Sequence, residues 1–461
     1  MTSLFRREPG FYRRLWVLTL PIVLQNLITT SLGFADTFMV GLLGNAEMAA
    51  VTAANVPVFI LQLVIFGFQS GLAVLVSQYW GRGDTDSINR CMGVALYAVT
   101  LFSLTVALIT FFLPAEVLRL VTPNEDLVAL GTSYIRIVGF ANVFNGISSV
   151  YAGMQRSTEN PRFGMILFAI SMCVNTFLNY VLIFGKFGAP HMGVTGAAAA
   201  TLISRIVEFA VALLYALRSR RIPLRPGLIL APGRDTLRRF VKYSVPVVCN
   251  ETLWGTGTSM LTVVMGHMAA SQDMLAAYSI MGNIDKLSTV ICFGLAASAA
   301  VMVGKEIGEG RDFGHVYGVA KTLLAVSVLV GLGVMALQLL LLPTFFRPVL
   351  FPLFQLSPGA ARISTYLAVV YAVALPTRAF DVTNVTGVLR AGGDARVAVL
   401  IDVLPLWLFT VPLMAVCALV LKLPVLWVCL CLQSETLCKF PLGILRFRSR
   451  KWIHDITRSI E

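Results

Sequence analysis

Four carboxylates, Asp36, Glu251, Asp285 and Asp381, lie inside long apolar runs of this sequence. A charge at the centre of a hydrocarbon layer costs about 2.5–3.5 kcal/mol by insertion scales. Each therefore needs a partner, a wet cavity or a proton, and the chemistry on offer is reversible binding of a proton or a small cation. On a helix, Gln25, Thr29 and Asp36 fall within about 20° of one line. That polar stripe on an apolar helix is expected to face a cavity or a partner helix. Asn175 and Asn179 are one turn apart and share a face, which suits either a site or interhelical amide packing. Glu251 sits near the expected midplane with Thr258 and Thr262 on its face. A lone acid there suits a group that takes up and releases a proton, or one hydrogen-bonded across a bundle. Asp285 shares its face with Tyr278 and Thr289, while neighbouring Lys286 points about 100° away. Cation binding and an interhelical ion pair both fit Asp285. Asp381 has Arg378 three residues before it, so this pair could neutralise itself. Arg205 and Glu208 form a similar pair, read as structural. Asp402, close to the end of its run, is expected to contact a loop arginine, and His191 and His267 read as solvated loop residues.

Enzyme chemistry finds no support. There is no HExxH pair, nucleophile elbow or Walker loop. Gly81-Arg82-Gly83 and Gly308-Glu309-Gly310 read as tight turns, because no Gly-Lys-Ser follows either. The eight cysteines show no CxxC or Cys/His metal spacing and read as small packing residues. The reading is of a protein that is not an enzyme, with no cofactor and no metal beyond a possible sodium ion.

The elements that must hold these residues follow from composition. The chain has 461 residues, 57% hydrophobic and 13% charged, against about 25% charged in an ordinary soluble domain. Apolar stretches long enough to cross about 30 Å of hydrocarbon recur throughout. They span roughly 14–39, 47–77, 91–113, 127–153, 162–185, 192–217, 240–266, 274–302, 316–343, 361–389, 395–420 and 423–445. The first runs too long for a signal peptide and lacks a small-residue cleavage site, so a retained span is expected. The fold class is therefore an all-α membrane protein with twelve transmembrane helices. A net charge of +13 could suggest nucleic acid in a soluble protein. Here the basic residues gather at both ends of the chain and in the even-numbered loops. That asymmetry predicts a multi-pass protein of the cytoplasmic (inner) membrane with both termini cytoplasmic, no nucleic-acid partner, and the lipid bilayer as its surroundings.

The segment 218–239 carries seven arginines and Pro223, Pro226 and Pro232. It reads as a cytoplasmic basic linker, with contact to anionic lipid also open. It divides an N-terminal six-helix lobe (1–217) from a C-terminal six-helix lobe (240–445), with a cytoplasmic tail (446–461) after them. The halves echo each other. Pro21 in LTLPIV answers Pro246 in YSVPVV; Gly81-Arg82-Gly83-Asp84 answers Gly308-Glu309-Gly310-Arg311-Asp312; and the stretch from Gly153 to Arg162 answers that from Gly387 to Arg396. Six spans per repeat is an even number, so both halves insert alike, as in transporters with the substrate site at the repeat interface.

Seven stretches, in this order, resemble the multidrug and toxic compound extrusion (MATE) family. They are LTLPIVLQNLITTSLGFADTFMVGLLGN (18–45), SQYWGRGD (77–84), GMQRSTENPR (153–162), NTFLNYVLIFG (175–185), GVTGAAAATLIS (193–204), PVVCNETLWGTG (246–257) and GVLRAGGDAR (387–396). The resemblance covers nearly the whole chain, and the KWI at 451–453 is also similar to the end of many bacterial members. It implies two six-helix bundles forming a V-shaped transporter around a cavity, of which Gln25, Thr29 and Thr258 are candidate wall residues. It implies alternating access and antiport: export of organic, often cationic, drugs or toxic metabolites against an inward proton or sodium flow, with a monomer sufficient. It makes Asp36 the N-lobe coupling group, with Asn175, Asn179 and Thr201 as its companions. Glu251, Asp285 and Asp381 are the C-lobe candidates. The family usually has Asp where this chain has Asn179. Losing that anion weakens a sodium site more than a proton site. A lipid-linked saccharide flippase of the same superfamily is the alternative, disfavoured because the candidate cavity residues are acidic rather than basic.

Overall fold

The computed structural model describes Phe5 and residues 8–268 and 271–457. Its long elements are all helices, named α1 to α12 in chain order. They are Phe11–Gly41, Asn45–Arg82, Thr85–Phe112, Glu125–Ser157, Pro161–Phe184, Gly193–Arg218, Arg234–Gly266, Ser271–Gly308, Phe313–Leu353, Pro358–Leu389, Ala395–Val420 and Val425–Arg448. Eleven of them are long and apolar enough to cross a membrane. The other is α7, which has 33 residues but carries Arg238, Arg239, Lys242, Asn250 and Glu251. Its polarity has the same origin as its place among the candidate site elements.

Helix boundaries follow local chemistry. Asp84 caps α3 by accepting from the Ser87 N–H at 2.9 Å, Asn124 caps α4 by accepting from the Asp126 N–H at 3.0 Å, and Asp312 caps α9 by accepting from the Gly314 N–H at 2.8 Å. Each satisfies an amide that the first helical turn leaves without a partner. Ser357 does the same for α10, whose first residue is Pro358.

The helices form two compact units. One is Leu24–Val248. Its core brings Val40 of α1, Val51 and Ala54 of α2, Ile135 and Val138 of α4, Ile183 of α5 and Ala197 and Ala198 of α6 into one cluster. The other combines the described residues up to Val23 with those from Cys249 onward. Each unit thus contains one half of α1 and one half of α7. In the second unit Leu15 and Leu18 of α1 share a core with Leu295, Ala299 and Met302 of α8 and Leu323 of α9. The buried Thr19 hydroxyl donates to Ser298 Oγ at 2.9 Å.

The segment after α12 is packed into this second unit. Trp452 is fully buried, its ring stacked on Phe447 with centroids 5.8 Å apart and its Nε1–H bonded to the Phe447 carbonyl at 3.1 Å. The Arg390–Asp394 turn, which closes α10, lies against it. A Cβ on Gly392 would come within 2.4 Å of the Trp452 ring and of its carbonyl oxygen, so this close approach requires glycine.

Several helices of the second unit contain π-helical turns: Leu342–Leu350 in α9, Leu406–Thr410 and Val416–Val420 in α11, and Thr383–Leu389 in α10. Those in α9 and α11 lie at or near Pro343, Pro348, Pro405 and Pro412, whose missing N–H groups disturb the ladder. The turn in α10 contains no proline and follows directly on Asp381 and Val382. Such turns are frequent at functional sites.

Candidate functional site

In the first unit, the second half of α1 meets α5 and α6 at a continuous chain of polar side chains. Asn179 Nδ2 donates to Asp36 Oδ1 at 2.5 Å and to Asn175 Oδ1 at 3.0 Å. Asn175 Nδ2 donates to Thr201 Oγ1 at 3.4 Å, and the Thr201 hydroxyl donates to the Ala197 carbonyl at 3.0 Å. The one-turn spacing of Asn175 and Asn179 on α5 puts both amides on one line, as the sequence pattern requires. Both amides are buried, whereas Asp36 is half-buried. The bond from Asn179 is the sole hydrogen bond to the Asp36 carboxylate, and Asp36 has no ion pair among the described residues. Asn179 Oδ1 is buried without a hydrogen-bond partner. Rotating this amide would offer Asp36 an oxygen in place of an N–H, an arrangement that is stable only with a proton or cation between them.

Arg205 lies one turn beyond Thr201 on α6, and its charge acts on Asp36. It is itself held at 2.5 Å by Glu208, which is the i,i+3 pair expected from the sequence. The fully buried Glu208 also accepts from Asn145 Nδ2 at 3.3 Å. Gln62 of α2 completes this network, donating to Asn142 Oδ1 at 2.7 Å and Asn145 Oδ1 at 3.1 Å. The sequence reading missed Gln62, Asn142 and Asn145. The signal was present, because Asn142 and Asn145 are three residues apart on an apolar helix.

Gln25 and Thr29 stand apart from this cluster. A Cβ on Gly164 of α5 would lie 2.6 Å from Gln25 Oε1, so Gln25 packs against that helix. Thr29 is exposed and returns its hydroxyl to the Asn26 carbonyl at 2.9 Å. In the second unit Thr258 does likewise to the Gly255 carbonyl at 2.9 Å.

The acids of the second unit occupy three different environments. Glu251 is not the lone acid expected: Arg390 Nη1 donates to its Oε1 at 2.9 Å, and the Arg390 side chain is 1% exposed. Asp402 is tied into the same group. It accepts from Asn250 Nδ2 at 2.7 Å and from Lys439 Nζ at 2.6 Å, and lies 3.7 Å from Arg390. Lys439 in turn pairs with Glu435. The expected loop arginine is thus joined by a lysine of α12, and the cluster holds three acids and two bases.

Asp285 is gripped by both nitrogens of Arg378, at 2.6 and 2.9 Å. The expected pairing of Arg378 with Asp381 does not form, because the long guanidinium side chain reaches across to α8. Asp381 is left buried with neither carboxylate oxygen hydrogen-bonded. Thr383 Oγ1 and both amide atoms of Asn384 are likewise buried without hydrogen bonds. This group sits at the start of the π-helical turn of α10. Opposite it a Cβ on Gly443 of α12 would come within 2.9 Å of Asn384 Nδ2. Unpaired buried polar groups cost about 1–3 kcal/mol each, and more when charged. Protonation of Asp381 or a cation beside it would lower that cost.

Known proteins share this arrangement of helices. The chain matches the MatE family over residues 21–181 and 246–416. It is 26% identical to the probable multidrug resistance protein NorM of Thermotoga maritima, covering 96% of this chain and 94% of that protein. It is also 26% identical to the probable multidrug resistance protein NorM of Agrobacterium fabrum, over 85% and 83%. Among solved structures, a variant of the Vibrio cholerae MATE transporter VcmN superposes with a TM-score of 0.82 at 19% identity, covering 98% of this chain and 100% of that one. The two family segments together take in Asp36, the two asparagines, Glu251, Asp285 and Asp381. The chain belongs to the MATE family of multi-pass membrane transporters.

Proposed function

We propose that this protein is a proton-coupled exporter of bulky organic cations in the cytoplasmic membrane. Both termini face the cytoplasm in this reading, and the two halves alternate access between the two sides. The names of the relatives support a multidrug substrate range, and the basic ends and even loops support the orientation.

The observation that carries the reading is the Asp36 carboxylate held by a single amide of Asn179. Unlike Glu251 and Asp285, Asp36 carries no ion pair among the described residues that must be broken before a proton can load. Protonation of Asp36 removes the anion to which Asn179 donates and favours the rotated amide. Because Asn179 also holds Asn175, and Asn175 holds Thr201, the change passes from α1 through α5 to α6. Weakening that packing is the step that would release substrate outward. Asn179 in place of a carboxylate leaves the cluster with one anion, which supports a proton over sodium as the coupling ion. Asp381, buried and without a hydrogen bond, is the second coupling candidate in this reading.

The test is efflux of a fluorescent organic cation from proteoliposomes under an imposed proton or sodium gradient. Proton-driven efflux, reduced at least about tenfold in Asp36→Asn, is the expected result. Efflux by Asp36→Asn at the wild-type rate, with equal protein in the vesicles, would remove Asp36 from the mechanism. Sodium-driven efflux would overturn the choice of ion.

A further inference from the structure

The basic segment between α6 and α7 is strapped to the first unit rather than free. The Arg221 guanidinium donates to the Thr158 carbonyl at 2.7 Å and lies 5.1 Å over the Trp80 ring. Asn89 of α3 donates to the Pro223 carbonyl at 3.2 Å and accepts from the Arg225 N–H at 3.3 Å. Arg225 is paired with Asp86. A short helix, Pro226–Leu230, then lies along α3, where the Tyr97 hydroxyl donates to the Leu230 carbonyl at 3.0 Å. Gly93 permits this approach, since a Cβ there would come within 2.3 Å of the Ile229 carbonyl oxygen. After Pro232 and Gly233 the chain turns into α7.

That turn leaves a groove bounded by α2, α3 and the first turns of α7. Its volume is about 540 Å³, and Phe68, Tyr97, Leu101, Leu237, Val241 and Val245 line it. All but Phe68 are exposed. Its polar end is basic. Arg234 forms part of the wall, Arg90 Nη1 lies 3.8 Å from where a Cβ on Gly233 would sit, and Arg238 follows one turn after Arg234. The side chains of Arg90, Arg234 and Arg238 form no ion pair or hydrogen bond among the described residues. Asp235 is the one carboxylate between positions 218 and 239, and Asp86 is already committed to Arg225. An apolar trough with unpaired guanidinium groups at one end is complementary to an amphiphile with an anionic head.

We propose that this groove is a binding site for an anionic glycerophospholipid of the surrounding bilayer. One acyl chain lies along Leu101, Leu237 and Val241, and the phosphate sits between Arg90 and Arg234. Charge selects the occupant. The ammonium of a zwitterionic lipid would face the same cluster of cations that the anionic lipid neutralises. The groove lies against α2 and α3, two of the helices long and apolar enough to cross a membrane, so the surrounding bilayer is the source of the ligand. The site is independent of the transport reading, because none of its residues belongs to the Asp36 or Asp381 clusters. A lipid held there would tie the start of α7 to the strapped linker.

The experiment is native mass spectrometry of the delipidated full-length protein, titrated with phosphatidylglycerol or phosphatidylcholine of matched chains. Phosphatidylglycerol is expected to be retained at least about fivefold more. Arg90→Gln with Arg234→Gln should bring it to the phosphatidylcholine level. Val241→Trp, which fills the groove without changing charge, should also remove the preference, while Arg448→Gln should leave it intact. Equal retention of the two lipids by the wild type, or the same preference in the arginine and tryptophan variants, overturns the proposal. Displacement by soluble glycerophosphate overturns it in favour of a phosphate site that needs no acyl chain. A dimer that Val241→Trp abolishes would assign the groove to a second copy instead.

Discussion

Asn179 Nδ2 lies 2.5 Å from Asp36 Oδ1 and 3.0 Å from Asn175 Oδ1, so one amide group uses one hydrogen to join α5 to α1 and the other to hold its neighbour one turn back on α5. Its own oxygen is buried and unpaired. An amide in this position is sensitive to the charge on Asp36, and that makes it the place to alter the coupling ion. Asn179→Asp adds a second anion beside Asp36. Sodium-driven efflux in proteoliposomes should then rise at least about fivefold relative to proton-driven efflux. An unchanged ratio would show that the number of carboxylates here does not choose the ion.

Glu251 and Arg390 form an ion pair at 2.9 Å in which the arginine is almost fully buried. Removing one partner of such a pair strands the other. Glu251→Gln should lower stability by about 3 kcal/mol, seen as a lower melting temperature in detergent. Adding Arg390→Met should restore part of that loss. A double variant no more stable than the sum of the single changes would mean that the two residues are not energetically coupled.

Asp285 and Asp381 should separate stability from transport. Asp285→Asn weakens the grip on Arg378 and should cost about 1–3 kcal/mol of stability. Asp381→Asn removes a carboxylate that makes no hydrogen bond. It should leave the melting temperature equal to or above that of the wild type, while gradient-driven efflux falls. The reverse pattern would place the ion-binding acid at Asp285.

Trp452 anchors the segment after α12 in the second unit. It is fully buried and stacked on Phe447, which is itself stacked on Tyr317 of α9 at 4.8 Å. Trp452→Ala should lower stability by about 3–5 kcal/mol, measurable as a loss of monodisperse protein on heating. Trp452→Phe should retain most of it. If the alanine variant melted with the wild type, the tail would be a passenger on the fold.

Much of this molecule was legible from residues alone, because the properties involved are local. Apolar run length sets which segments can cross a bilayer. A 100° step per residue placed Asn175 and Asn179 on one face, and three-residue spacing joined Arg205 to Glu208. α7, expected as a span over 240–266, falls short of the other eleven long helices in apolar content, since its site and linker residues dilute it.

Tertiary structure decided which charge meets which. Arg378 had Asp381 three residues away and Asp285 across the bundle, and it took Asp285. Glu251 gained Arg390 from the end of α10, Asp402 gained Lys439 from α12, and Asp381 gained no hydrogen bond among the described residues. The basic linker became a strap because Asn89, Tyr97 and Trp80 receive it. Long flexible side chains choose their partners by which helices pack side by side. That depends on contacts tens to hundreds of residues apart in the chain, which no local period encodes.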